Sequence, residues 1–249
     1  MLHNSIYNED CLETMKRMED STIDLTVTSP PYDNLRTYKG FEFDWHKTIE
    51  ELYRVTKEGG VLVWVVGDAT IKGSETGTSF KQALWAMECG FNLHDTMIYK
   101  KPNCYAFDSR QGRYKNVWEY MFVFSKGKPK THNLIKDKPV KSKGKIFNST
   151  KGRDKKGNLR KNNHILAKDF QVRYNIWKFS NDARGTKHPA IFPEQLAHDH
   201  IISWSNEGDT VYDPFLGSGT TAKIAKQLNR KYIGSEISKE YCDIAEAIL

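Results

Sequence analysis

The sequence predicts an α/β domain built around a mostly parallel sheet, on three observations. Stretches of strand length alternate with stretches of helical periodicity along most of the chain. Val61-Leu-Val-Trp-Val-Val66 is apolar at every position, as expected for a strand covered by helices on both faces. Turn residues cluster where strands end, at Ser29-Pro30-Pro31 and again at Gly217-Ser218-Gly219.

Taken in order, Thr22 to Thr28 reads as a short strand. Asp44 to Lys57 reads as a helix, because Trp45, Ile49, Leu52, Tyr53 and Thr56 recur on one face. Gly59-Gly60 is expected to stop that helix before the Val61–Val66 strand. A helix over Phe80–Cys89 and strands over Phe91–Tyr99 and Val117–Phe124 follow. The C-terminal part reads as helix Pro193–Trp204, strand Thr210–Tyr212, helix Thr220–Leu228, strand Lys231–Gly234 and helix Lys239–Ile248. No internal repeat is visible.

The 249 residues suit one large domain with a sizeable insertion, and 12% aromatic residues are ample for a core. The longest uninterrupted apolar run, Val61–Val66, is far short of the ~20 residues of a spanning helix, and the first ten residues carry no signal-peptide pattern. A cytoplasmic protein with no membrane partner is expected. Cys11, Cys89, Cys104 and Cys242 form no C-x-x-C pair, so four reduced thiols and no metal site are expected.

The net charge of +7 is unevenly spread. Between Lys126 and Arg173 there are 16 Lys/Arg against 3 acidic residues, so the remainder of the chain is net acidic. This segment is rich in Gly and Asn and lacks apolar periodicity, which reads as extended insertion. Its cations can replace counterions condensed on phosphates. The expected division is therefore 1–125, 126–173 (basic insertion) and 174–249. Lys141, Lys143, Lys145, Lys151, Arg153, Lys155, Lys156, Arg160 and Lys161 are its candidate nucleic-acid contacts.

Two segments suggest chemistry. Asp213-Pro214-Phe215-Leu-Gly217-Ser218-Gly219-Thr220-Thr221 runs from a strand end into a helix, where glycines permit a tight turn near a ligand. Glu236 follows Asp213 by 23 positions, near the spacing of a carboxylate that accepts ribose hydroxyls. The loop lacks the lysine of a Walker motif and the third glycine of a dinucleotide fingerprint, which favours an adenosine-bearing ligand without a phosphate chain. The second segment, Thr28-Ser29-Pro30-Pro31-Tyr32, ends a strand at the edge where α/β sheets bind ligands. Its prolines remove amide donors and can present carbonyl acceptors, Ser29 adds a hydroxyl and Tyr32 a flat ring, a set suited to a planar amino group.

Together these motifs resemble the amino-group DNA methyltransferases that use S-adenosylmethionine. With the catalytic motif first, the basic insertion second and the cofactor motif last, the order is similar to that family's permuted beta group. The resemblance implies a Rossmann-like methyltransferase fold with circularly permuted motif order and a target-recognition insertion. His188-Pro189-Ala-Ile-Phe192-Pro193 resembles the family's segment over the methionine part of the cofactor. Asn8-Glu-Asp10-Cys11 resembles its adenine-side element, and Lys101-Pro-Asn103 a loop near the target base.

The implied reaction moves a methyl group from S-adenosylmethionine to an exocyclic amino nitrogen of a flipped base. Ser29 and the Pro30 carbonyl would accept the amino hydrogens and Tyr32 would stack on the base. Cytosine C5 methylation requires a nucleophilic cysteine, typically after proline, and no Pro-Cys occurs. Ser29 before Pro30-Pro31 favours cytosine N4, with adenine N6 as the alternative. A non-catalytic DNA-binding protein and an RNA or protein-amide methyltransferase are more distant readings. Expected partners are double-stranded DNA and a cognate restriction endonuclease, with the chain as monomer or homodimer.

Overall fold

The structure is a computed structural model that describes residues 3–31, 43–102, 112–149, 163–179 and 192–249. The chain forms two compact units, Met1–Asn133 with Asn175–Leu249, and Leu134–Tyr174. In chain order the first unit contains β1 (Ser5–Tyr7), α1 (Cys11–Lys16), β2 (Ile23–Thr28), α2 (Trp45–Val55), β3 (Thr56–Val66), the small hairpin β4 (Thr70–Ile71) and β5 (Ser74–Glu75), α3 (Thr78–Glu88), β6 (Asn92–Lys100) and β7 (Trp118–Ser125). The second unit holds β8 (Lys138–Pro139), β9 (Ile146–Ser149), β10 (Asn163–Leu166) and β11 (Phe170–Gln171). The chain then completes the first unit with β12 (Ile176–Lys178), α4 (Glu194–Trp204), β13 (Thr210–Asp213), α5 (Thr220–Gln227), β14 (Lys231–Ser235) and α6 (Lys239–Ala247).

Eight strands form one sheet in the order β1-β14-β13-β2-β3-β7-β6-β12. All neighbours are parallel except β7, which runs antiparallel to both β3 and β6. The glycines expected to separate helix from strand lie inside β3, and the helix before them stops at Val55. Ile23 pairs with Thr56 while Leu25 pairs with Val61, so β3 bulges at Gly59 and Gly60. Gly59 has φ +79°, and a Cβ on Gly60 would lie 2.9 Å from the Lys57 carbonyl and 3.1 Å from that of Asp24. The bulge therefore demands glycine.

Met15 (α1), Ile49, Leu52 and Val55 (α2), and Ala83 and Ala86 (α3) pack with Ile23, Leu62, Trp64, Phe122, Phe124 and Tyr212 of the sheet in one buried cluster. Helices α4 and α5 also pack on the sheet, α4 on β2 and β3, α5 on β13 and β14. Among the described residues no helix is long and apolar enough to cross a membrane.

The order places β13, which comes late in the chain, beside β2, which comes early. From β2 the chain crosses through α2 to β3 on one side; from β13 it crosses through α5 to β14 on the other. A crevice opens at such a switch point, beyond the carboxyl ends of the two strands. Both motif segments emerge there.

In the second unit, β9 pairs with β10 and β11 with β8, both antiparallel. The Val140 amide donates to the Asp169 carbonyl at 3.0 Å and the Arg173 amide to that of Ile135 at 2.9 Å. Arg173 pairs with Asp137, and Lys138 lies over the Tyr174 ring.

Candidate active site

At the end of β2, Thr28 is fully buried and its hydroxyl donates to Oδ1 of Asp213 at 2.6 Å. The same oxygen accepts the Phe215 amide at 3.0 Å. From α5, Thr221 donates to the Val27 carbonyl at 3.5 Å. These bonds tie the strand leading into Ser29-Pro30-Pro31 to the loop after β13. Burial raises the Asp213 carboxyl to about 6, against the opposing effect of its hydrogen-bond donors. Ser29 and Pro31 are half-buried and Pro30 is buried, at the edge where the crevice opens.

The Asp213–Gly219 loop is held from below by the Leu216 amide, which donates to the Ser235 carbonyl at 2.9 Å. Gly217 (φ +55°) and Ser218 are half-buried, whereas Gly219 and Thr220 are buried. Gly219 has φ +92°, and a Cβ there would lie 2.7 Å from Cβ of Ala245 on α6. Its small size thus serves helix packing, and the open side of the loop is at Gly217 and Ser218. Pro214 is buried, while Phe215 packs edge-on to Phe43 and Trp64.

Glu236 follows β14 directly. Its Oε2 accepts the Gly217 amide at 2.9 Å and its Oε1 the Ser238 amide at 2.8 Å. A carboxylate has about four acceptor sites, so these bonds orient it while leaving capacity for hydroxyls. The side chain is half-buried, and burial raises its pKa above the usual range. The Glu236 amide donates to the Tyr7 carbonyl, and Asn8 Nδ2 donates to the carbonyls of Glu236 and Ile237 at 2.9 and 3.1 Å. The Asn8–Cys11 segment is thereby joined to the Glu236 turn. Asp10 caps α1 through the Leu12 amide at 2.7 Å. Cys11 is a packing group: it lies in the core and burial pushes its thiol up to about 12.

The architecture and this edge can be compared with known proteins. The profile of the N6/N4 methyltransferase family, described as DNA methylase, matches residues 23–247. The chain belongs to that family. It is 60% identical over 241 residues to the orphan methyltransferase M.BamHII of Bacillus amyloliquefaciens, covering 91% of this chain and 88% of the relative. The type II methyltransferase M.BglII of Bacillus subtilis is 31% identical, with 99% and 69% covered. The fold is similar to that of the cytosine-N4-specific PvuII DNA methyltransferase, with TM-score 0.72, 22% identity, and 98% and 86% of the two chains covered. It is also similar to M1.HpyAVI solved with S-adenosylmethionine, with TM-score 0.65, 24% identity, and 98% and 99% covered.

For this methylase, the structure brings Ser29, Pro30, Pro31, Asp213, Gly217, Ser218 and Glu236 to one sheet edge. Phe192 is half-buried just before α4, whose first residue, Glu194, pairs with Lys223 at the start of α5 on the same edge. Tyr32, Asn103, His188, Pro189, Lys151, Arg153, Lys155, Lys156, Arg160 and Lys161 lie outside the described residues. Lys101 is engaged with Glu119 at 2.5 Å, which draws its charge away from a phosphate. Lys141, Lys143 and Lys145 are exposed, and Lys143 faces Asp169 at 3.2 Å. Sequence reading missed Thr28 as the tether and the Phe215 amide as its companion. A cleft of about 420 Å³ lined by Glu50, Tyr53, Trp85, Glu88 and Cys89 contains none of these residues.

Proposed function

We propose that this DNA methylase transfers the methyl group of S-adenosylmethionine to the exocyclic N4 of cytosine in duplex DNA. The observation that carries the reading is the Thr28–Asp213 bond, which sets an acceptor-rich Ser-Pro-Pro tip beside the Gly217–Glu236 cradle at a switch point. The cradle's chemistry fits S-adenosylmethionine: an oriented, half-buried carboxylate for ribose hydroxyls, and a turn open at Gly217 and Ser218. Glu236 would hold the ribose, and the Asn8–Asp10 segment and Phe192 would flank the ligand. When bound, the cofactor supplies an electrophilic methyl on a sulfonium.

The chain's own residues act on the base. An aromatic amino nitrogen is a weak nucleophile because its lone pair is delocalised into the ring. Ser29 and the Pro30 carbonyl accept its hydrogens, turning the lone pair toward the methyl and stabilising the positive charge that develops. Tyr32 stacks on the extruded base and helps offset the few kcal/mol that flipping costs. The basic insertion, 126–173, holds the phosphates and reads the target, between the catalytic half 1–125 and the cofactor half 174–249. Ser29, in place of an acidic or amide residue, supports cytosine N4 over adenine N6.

The test is incubation with S-adenosylmethionine and unmethylated DNA, followed by digestion to nucleosides and mass spectrometry. N4-methylcytosine is expected. N6-methyladenine would refute the choice of base while leaving the catalytic edge in place, and cofactor binding without any methylated nucleoside would refute DNA as the substrate.

A further inference from the structure

The catalytic edge carries a hairpin, β4–β5, that the reaction described above leaves unused. Strand β3 runs parallel to β2 with Trp64 level with Thr28, and two residues further along are Val66, the last of β3, and Pro30. The chain leaves β3 there, beside the Ser29-Pro30-Pro31 tip, and turns at once into the hairpin. Asp68 Oδ1 accepts the Ser79 amide at 2.9 Å and Asp68 Oδ2 the Ser79 hydroxyl at 2.5 Å, which ties the hairpin's root to the first turn of α3. The Thr76 amide closes that root on the Ala69 carbonyl at 3.0 Å. From the segment before β7, Arg113 donates to the Gly73 carbonyl at 2.5 Å and faces Glu75 at 3.5 Å. The hairpin is therefore braced at its root and along one side.

Its tip is unlike an ordinary solvent turn. Ile71 pairs with Ser74 across a two-residue turn whose residues are both left-handed, Lys72 at φ +49° and Gly73 at φ +80°. Asn-Gly is the favoured pair for such a turn. A lysine is uncommon in that conformation, so the turn itself does not account for it. Ile71, the residue before it, is 53% exposed although it is β-branched and apolar. A connection whose duty ended at linking β3 to α3 would gain from neither residue. Ile71 lies five residues after Val66, at most about 18 Å of chain, so a duplex with one base at Ser29 passes within reach of the tip.

We propose that this hairpin contacts the DNA during base extrusion: Ile71 enters the stack beside the extruded nucleotide, and Lys72 meets a neighbouring phosphate. The proposal rests on the base-flipping reading of the site. Extrusion parts stacked bases, and an apolar side chain in the opening holds them apart. Such a wedge works best when it is held in place beforehand, because ordering a loose loop on binding costs affinity. The bonds of Asp68 and Arg113 supply that order in advance. Lys72 is exposed at the tip, where a cation can replace a counterion condensed on the backbone. Arg113 offsets the charge of Glu75, the hairpin's one acid, which would otherwise repel phosphates.

The test uses the full chain and a synthetic duplex carrying the sequence around the modified base, as mapped in methylated plasmid DNA. With S-adenosylmethionine saturating, Ile71→Ala should methylate the fully paired duplex about tenfold more slowly than wild type. A mismatch opposite the target base makes extrusion easier, and on that duplex the deficit should shrink to about twofold or less. Ile71 is exposed, so the variant is expected to fold, with circular dichroism as the control. Lys72→Asn suits the turn and removes the charge. It should keep its stability to urea while the slope of log DNA affinity against log salt falls by about 0.9. Ile71→Ala at the wild-type rate, an equal deficit on paired and mismatched duplexes, or an unaltered salt slope in Lys72→Asn would each overturn the proposal. A wild type that binds S-adenosylmethionine but methylates no duplex would instead refute the base-flipping reading, and the hairpin's role with it.

Discussion

Replacing Thr28 by Val removes one hydroxyl and keeps a β-branched side chain suited to a strand. Both ends of the lost bond are buried, Thr28 at 0% and Asp213 at 5% exposure, so water cannot replace the donor. A hydrogen bond to a charged group contributes about 1.5–3 kcal/mol, and the variant should lose stability in that range at pH 8. The loss depends on pH. Wild-type Asp213 titrates at about 6 against an ordinary 3.8, so its contribution to folding is present below 3.8 and lost as pH rises through about 6. Without the Thr28 donor the carboxyl titrates still higher and the loss extends further. The deficit relative to wild type should therefore be small at pH 5 and grow above pH 6. Urea unfolding at several pH values measures this. Methyl transfer should fall by about 10–100-fold, because the tether also sets Ser29 against the Glu236 turn and a displacement of about 1 Å can cost 100-fold. A Thr28→Val protein with wild-type stability at pH 8 and full turnover would refute the tether.

Other perturbations separate the parts of the site. Glu236→Ala removes the ribose acceptor and frees two backbone donors, and calorimetry should show S-adenosylmethionine bound about 10–100-fold more weakly; unchanged affinity would contradict the assignment. Gly219→Ala must adopt φ near +92° with its Cβ 2.7 Å from that of Ala245, and should lower urea stability by about 2–3 kcal/mol. Changing exposed Lys141 and Lys145 to Gln should weaken binding across DNA sequences, each reducing the slope of log affinity against log salt by about 0.9. An unaltered slope would remove them from the phosphate contacts.

The alternation of strand and helix was legible because long apolar runs such as Val61–Val66 and periodic stretches such as Trp45–Val55 carry their own signal. Short elements were not. Ser5–Tyr7 and Ile176–Lys178 are three-residue strands whose existence depends on β14 and β6 beside them, and α1 is only six residues long. At Gly59-Gly60 local propensity suggested a stop, but pairing with β2 carried the strand through as a bulge. At the site, Ser29-Pro30-Pro31 and the Gly217–Gly219 turn stood out because prolines and glycines punctuate a sequence. Thr28 did not, since a threonine in a strand is ordinary until Asp213, 185 positions away, is placed beside it.

The most direct test of the central claim is the rate of methyl transfer by Ser29→Ala with S-adenosylmethionine saturating and DNA in excess. If the strand tip acts on the amino group and the Gly217–Glu236 cradle holds the cofactor, the rate should fall by about 100-fold with cofactor affinity unchanged. Transfer at the wild-type rate would contradict the account and place the chemistry elsewhere than at the end of β2.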